Sequence, residues 1–380
     1  MIDYSKYRDP ALYPDGISDF LKLRERKCIY VDKTALVYEM TRKSFVFLSR
    51  PRRFGKSLLC STLKYYFEGR SDIFKGLAIM DLEKEWKKHP VFHFSISSIK
   101  DKPIEMMADA LMMQLKDYEV LYGADPDEKT PGAKLQGLIK RARALKGERA
   151  VVIIDEYDSP ILKYMHDEEN LPKVRQIMQE FYQTLKECDA DARFVFITGI
   201  TKFSQIDLNL TDISMTDRFS SICGITNKEL HSVFNDDVEM LAKQNNLSRE
   251  QMYAKLKDMY YGYNFSDKSE TVYNPYSIIR AFLQREVRHF YQVCDTPKHL
   301  ICELLNRKSI DIQKYDGVYA HKEEFDHHVE NMNDAKPLLY QSGYLTIKDY
   351  NNITNSYVLG IPNTEVRTVL NNFSFLSSME

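Results

Sequence analysis

The residues best equipped for chemistry fall in one string, Arg50-Pro51-Arg52-Arg53-Phe54-Gly55-Lys56-Ser57-Leu58. Phosphates are held where a strand ends in a tight loop at a helix N-terminus. Backbone N–H groups converge on the oxygens, a lysine bridges them and a hydroxyl ligates Mg2+. Here Gly55 permits close backbone approach, Lys56 is the candidate phosphate lysine and Ser57 the candidate metal hydroxyl, while Arg50 stands where such a loop usually has glycine. GKS alone also arises by chance in basic surface turns, so a second motif is needed. Ala150 to Asp158, AVVIIDEYD, supplies one. It is an apolar strand ending in Asp155, which would support Mg2+ through water, and Glu156, which would polarise an attacking water. The combination points to a nucleotide-binding site with Walker A and Walker B strings.

These residues need elements to position them. Four nearly continuous apolar runs predict buried strands: Ser44 to Ser49, Val91 to Ser97, Ala150 to Glu156 and Arg193 to Gly199. Continuity of this kind marks strands covered on both faces, as in a parallel sheet. Helical patterns lie between them, LLCSTLKYYF after the first, IEMMADALMMQL after the second and VRQIMQEFYQTL before the fourth, which is the α/β alternation. The fourth run ends at the edge where open α/β sheets bind ligands, so Thr198 or Lys202 would reach a γ-phosphate; the alternative is a threonine that caps a strand end. Arg52, Arg53 and Arg218 are candidate charge-neutralising groups, with solvated surface as the plainer role for each.

After about Gly224 the pattern turns helical. Thr226 with Glu229, and Ser248 with Gln251, predict capping boxes for the helices KELHSVFNDDVEMLAKQ and MYAKLKDMY, and Pro275 sits near the first turn of another helix. The tail, LLYQSGYLTI with SYVLGIPN, predicts a small hairpin. The expected division is residues 1–224 as an α/β nucleotide-binding core, 225–370 as a mostly helical region of lid or winged-helix character, and 371–380 as a tail.

Composition bounds the rest. The chain has 380 residues, a net charge of −2 and 43% hydrophobic residues, so it can bury a large core and any nucleic-acid contact must be local. Six scattered cysteines without a CxxC spacing, and no apolar N-terminal run, suggest reduced thiols in the cytoplasm; no run approaches a membrane span.

SRPRRFGKSLLCSTLKYYF, together with GISDF, YVDKT, IIDEYDSPI, FITGITKFS, CGIT, YYGYNF and VYNPYSII, resembles the predicted AAA-ATPase-like family over about Gly16 to Arg367. In that family RPRRFGKS serves as the phosphate loop, the leading glycine is commonly absent, and a PD-(D/E)XK nuclease-like domain often follows. The resemblance implies a P-loop NTPase core of the additional-strand type, with RFVFITG between the loop strand and the DE strand. It implies ATP and Mg2+ as ligands, Lys56 and Ser57 on phosphate and metal, Asp155 supporting the metal and Glu156 as catalytic base. The chain reaches Glu380 about where the nuclease-like domain is expected to start, so that domain is expected to lie outside it. The implied partners are ATP and a protein partner or effector domain, the alternatives being a nucleotide-holding switch with negligible hydrolysis or the ATPase part of a nucleic-acid-processing nuclease. GISDF and YVDKT are expected near the adenine.

Weaker constellations carry less. Glu85-Trp86-Lys87 and Asp127-Glu128-Lys129 have an acidic-x-lysine spacing without a partner strand and read as surface charge. Cys294, His299 and Cys302 fit no familiar zinc spacing. The tyrosine-rich YYGYNF would stack a base or, more economically, pack between domains.

Overall fold

The computed structural model describes residues 8–203, 209–290, 312–329 and 335–377. Cys294, His299 and Cys302 lie outside them. The chain divides into two compact units, both discontinuous in sequence: a sheet unit of residues 33–49 and 59–213, and a helical unit of residues 1–32, 50–58 and 214–380. The loop 50–58 therefore counts with the helical unit, whereas the sequence suggests breaks near 224 and 370.

The sheet unit is built on five parallel strands, β1 (Phe45–Ser49), β2 (Val91–Ser95), β3 (Ala150–Asp155), β4 (Ala192–Gly199) and β5 (Thr211–Asp212), in the order β2-β3-β4-β1-β5. Every residue of β3 is buried, as its unbroken apolar run requires of a central strand covered on both faces. The register aligns the carboxyl ends, with Ser95 opposite Asp155 and Ser49 opposite Gly199. The two-residue β5 escapes sequence reading because it is exposed and has no apolar run; it is held on the edge of β1 by pairs such as Phe47 with Asp212. The helices Met107–Tyr122, Pro131–Lys146 and Leu171–Glu187 pack in succession, and Lys134 is paired with Glu119 between the first two.

The helical unit has its own core, in which Phe234, Leu241, Leu256, Tyr260, Tyr273 and Phe282 are buried together. Both predicted capping boxes form, Thr226 with Glu229 and Ser248 with Gln251, and Pro275 opens the helix Pro275–Gln284. The single helix expected over 228–244 is two, Asn227–Val233 and Asn235–Gln244. Between them Phe234 leaves helical geometry and stacks on Phe282 at 5.3 Å, while Asp236 and Asp237 favour a new helix start. Strands β6 (Ile225–Thr226) and β7 (Val272–Tyr273) pair, and β8 (Val318–Ala320), β9 (Thr346–Asn351) and β10 (Ser356–Gly360) form a small sheet. The expected hairpin is the antiparallel β9–β10 pair, but LLYQ forms the last part of a helix, Lys336–Gln341, buried on nearly every side.

Candidate functional site

The loop joins β1 to the helix Lys56–Phe67, so strand, loop and helix succeed one another as phosphate binding requires. Gly55 has φ +90°, a conformation that side chains rarely adopt, and a Cβ built there would meet no heavy atom within 4 Å. Backbone conformation is therefore what demands glycine, and the exposed face of the loop leaves room for a ligand. Lys56 is buried, and its ammonium donates to the carbonyls of Arg50 at 2.9 Å and Pro51 at 3.0 Å, which curls the loop around its Nζ. Ser57 and Leu58 follow, half-buried, in the first turn of the helix. Two features fit phosphate oxygens and a hydrated cation: a 12-residue helix beginning at the lysine, and a glycine that keeps the approach open.

Arg50, Pro51 and Phe54 pack inside the helical unit, to which the loop belongs. Arg50 is 1% exposed; its guanidinium donates to the carbonyls of Ser214 at 2.7 Å, Phe219 at 3.2 Å and Ser220 at 3.3 Å, and lies 4.2 Å from the centre of the Phe265 ring. Phe54 packs edge-on against Tyr263 at 4.8 Å and Phe265 at 5.5 Å. Exposed Arg53 has φ +67° and sits over Tyr276 at 4.7 Å, Arg52 is half-buried, and Pro51 packs so closely on Gly343 that a Cβ there would fall 2.7 Å from it. The Arg50 side chain thus gives three hydrogen bonds to protein carbonyls, and Pro51, without an N–H, adds no donor. Tyr263 and Phe265 of the aromatic stretch serve as packing for the loop.

In the sheet unit, β3 delivers Asp155, buried at the strand's carboxyl end, and then Glu156, half-buried with φ +54°. A left-handed glutamate is uncommon, and such backbone strain persists only where the surroundings impose it. Here they do: Tyr157 N–H donates to the Thr198 carbonyl at 3.1 Å and Ser159 N–H to the Glu156 carbonyl at 3.0 Å. Asp158 is the residue that sequence reading missed. It is 1% exposed, and its Oδ2 accepts from Ile200 N–H at 2.8 Å, Thr201 N–H at 2.7 Å and the Thr201 hydroxyl at 2.8 Å. A Cβ at Gly199 would lie 2.4 Å from its Oδ1, so glycine lets the turn after β3 close on the end of β4. The Tyr157 hydroxyl donates to the Thr201 carbonyl at 2.9 Å and accepts from Phe203 N–H at 3.1 Å, and burial holds its pKa well above the usual value. The only sequence signal was the acidic-aromatic-acidic string itself.

Thr198, expected to sense a γ-phosphate or cap a strand, is wholly buried and gives its one hydroxyl hydrogen to the Leu48 carbonyl at 2.6 Å. With no donor left for phosphate, it laces β4 to β1. Lys202 is buried and pairs with Asp212 at 2.6 Å. Arg218 is exposed on a short turn. Among the described residues no three His, Cys, Asp or Glu side chains are grouped to hold a metal by themselves, and no helix is long and apolar enough to cross a membrane.

A five-stranded parallel sheet with a glycine-lysine-serine loop leaving β1 and an acidic pair at the end of β3 fits a P-loop-like α/β core. The family model described as predicted AAA-ATPase matches residues 14–209, and the chain belongs to that family. An uncharacterised protein encoded in the vnfD 5′ region of Azotobacter chroococcum mcd 1 is 33% identical over 372 residues, which cover 94% of this chain and 69% of that protein.

Proposed function

We propose that the protein binds ATP with Mg2+ at the loop 50–58 and hydrolyses it, on a P-loop core of the additional-strand type. What carries the reading is Gly55 at φ +90°, open to approach, directly before a lysine that begins a 12-residue helix. The position of β4 between β1 and β3 supports the strand type. In this reading the N–H groups of residues 52 to 57 and the Lys56 ammonium take the phosphates, and Lys56 exchanges its two loop carbonyls for them. The Ser57 hydroxyl would meet Mg2+ and Asp155 would support it, and the ion when bound would neutralise phosphate charge. Glu156 orients the attacking water and accepts its proton, its carboxylate aimed by the strained backbone that Asp158 and the Tyr157–Thr198 bond enforce. Because Arg50, Pro51, Phe54 and Arg53 are seated on residues 214–220, 263–276 and 343, a shift of the loop on binding phosphate would pull directly on the helical unit, which would present the change to a partner or effector domain.

The test is nucleotide binding and phosphate release by three proteins. Lys56→Ala should lose Mg2+-ATP binding, because the ammonium bridging the phosphates is gone. Glu156→Gln should still bind ATP while phosphate release falls by roughly 10² to 10⁴, the contribution of a positioned base. Equal ATP affinity in Lys56→Ala and wild type would sink the assignment of the loop. Unchanged release in Glu156→Gln would remove the base.

A further inference from the structure

The amino ends of the sheet strands, opposite the end that carries Asp155, gather cations from separate stretches of the sheet unit. Because β2, β3, β4 and β1 are parallel neighbours, the residues that enter them stand side by side: Lys88 and His89 before β2, Arg149 before β3, Arg193 at the start of β4, and Arg42 and Lys43 before β1. At a strand spacing of about 4.8 Å the row is about 14 Å long. Hydrogen bonds lace it together. The His89 Nδ1 donates to the Arg149 carbonyl at 2.9 Å, and the Arg193 guanidinium donates to the carbonyls of Thr41 at 2.9 Å and Lys43 at 3.4 Å. Lys146, the last residue of the helix Pro131–Lys146, adds a charge just before Arg149.

Arg42, Lys88, Lys146 and Arg149 are exposed and Lys43 is half-buried, and none of these five has an ion-pair partner among the described residues. Neighbouring carboxylates are engaged, Glu148 by Lys87 at 2.8 Å, Asp191 by Arg143 and Glu187 by Gln136 at 3.0 Å, which leaves Glu85 and Asp189 against the five. Burial first, and then the charges of Arg149 and Arg42, hold the Arg193 guanidinium below its ordinary value, against the opposing influence of Tyr66. Like charges gathered in this way are relieved by an anion. A line of cations suits a polymer whose own charges repeat along a line: each strand of a duplex presents one phosphate per about 3.4 Å of rise, so the row faces about four. Among the described residues of these connections no aromatic ring is exposed on which an unpaired base would stack. Leu145, next to Lys146, is the one large apolar side chain exposed there, too little to enter a lipid surface. We propose that the row seats the sugar-phosphate backbone of a nucleic-acid duplex without reading its sequence. It uses none of the residues assigned to ATP and is independent of that reading.

The experiment is fluorescence anisotropy of a labelled DNA duplex of about 20 base pairs, titrated with the full chain over a range of salt concentrations. Wild type should bind with Kd below about 10 µM at about 50 mM salt, and log K should fall against log salt with a slope of about −3.6, four contacts at about −0.9 each. The double variant Arg42→Gln/Arg149→Gln should weaken binding about 100-fold at that salt and make the slope shallower by about 2. Both side chains are exposed, and circular dichroism establishes that the variant folds. Lys56→Ala, in the loop, and Lys255→Gln, an exposed lysine of the helical unit, should bind the duplex as wild type does. Vesicles of phosphatidylserine and phosphatidylcholine at the same salt are the lipid arm and should bind more weakly than the duplex. The proposal is overturned if no duplex binds at about 100 µM protein and about 50 mM salt, if the double variant leaves affinity and slope unchanged, if Lys56→Ala weakens binding as much as the double variant does, or if the vesicles bind more tightly than the duplex.

Discussion

Replacing Arg50 by glycine would give the loop the residue that phosphate loops usually begin with, yet the protein should become less stable. The side chain is 1% exposed, so nearly all that it offers is internal. Its bond to the Ser214 carbonyl, at 2.7 Å, is a charge-assisted contact of about 1.5–3 kcal/mol. Those to Phe219 and Ser220, at 3.2 and 3.3 Å, are longer, and the Phe219 carbonyl also accepts from Ile222 N–H, so each is worth about 0.5–1 kcal/mol. The desolvated contact with Phe265, 4.2 Å from the ring centre, contributes about 1–2 kcal/mol. These contributions overlap, and water entering the smaller side chain's space recovers part of them, which leaves a loss of about 3–5 kcal/mol. Urea unfolding followed by far-UV circular dichroism measures it, with the slope against denaturant compared between proteins. Arg50→Lys is the control, since an ammonium keeps the charge without the planar fork and should recover only part of the loss. If Arg50→Gly lies within about 1 kcal/mol of wild type, the arginine does not anchor the loop, and the route from loop to helical unit loses its support.

Other outcomes follow from the same geometry. Asp158→Ala removes the acceptor of three hydrogen bonds and should cost about 3–5 kcal/mol on denaturant unfolding; a loss under about 1 kcal/mol would mean that the turn after β3 is held by other contacts. Gly199→Ala should fold poorly, because its Cβ would meet Asp158 and Tyr157 at 2.4–2.7 Å, and soluble yield with melting temperature reports it. His89 has its pKa lowered by burial, although the Arg149 carbonyl and Glu148 oppose that shift. A depressed imidazole favours folding when neutral, so its contribution is present above the unfolded value of about 6.5 and is lost as pH falls through the folded value. Histidine NMR should place the His89 midpoint below that of a histidine in the unfolded chain, and His89→Gln should flatten the fall of stability in that window.

The parts of the molecule legible in sequence are those whose signals are local. The four sheet runs could be read because strands such as β3 are buried along their whole length, and the capping boxes because both partners stand three residues apart. Glu156 and Asp155 could be placed at a strand end for the same reason. Arg50 could not be understood, since its carbonyl partners lie 164 to 170 residues later, and nothing in RPRRFGKS distinguishes an arginine that turns inward from one that meets phosphate. Asp158 was hidden likewise, its three donors being 42 and 43 residues away. Phe234 broke a helix that periodicity made continuous, because tertiary stacking outweighed local preference. Asp237 accepts from the hydroxyl of Tyr13, 224 residues earlier, and a single helix pattern cannot report it.

The seating of the loop also sets an order on synthesis. Strand β1 and the loop leave the ribosome early, but the carbonyls that hold Arg50, the rings that hold Phe54 and the glycine that admits Pro51 come from positions 214 to 343. At translation rates of about 5–20 residues per second, these arrive on the order of tens of seconds later. Until then Arg52 and Arg53 belong to a nascent segment that lacks its supports, and limited trypsin should cut there in ribosome-bound chains halted before residue 214 and spare it once residue 343 has emerged. The loop would thus reach its folded seat only after the residues that support it have been made.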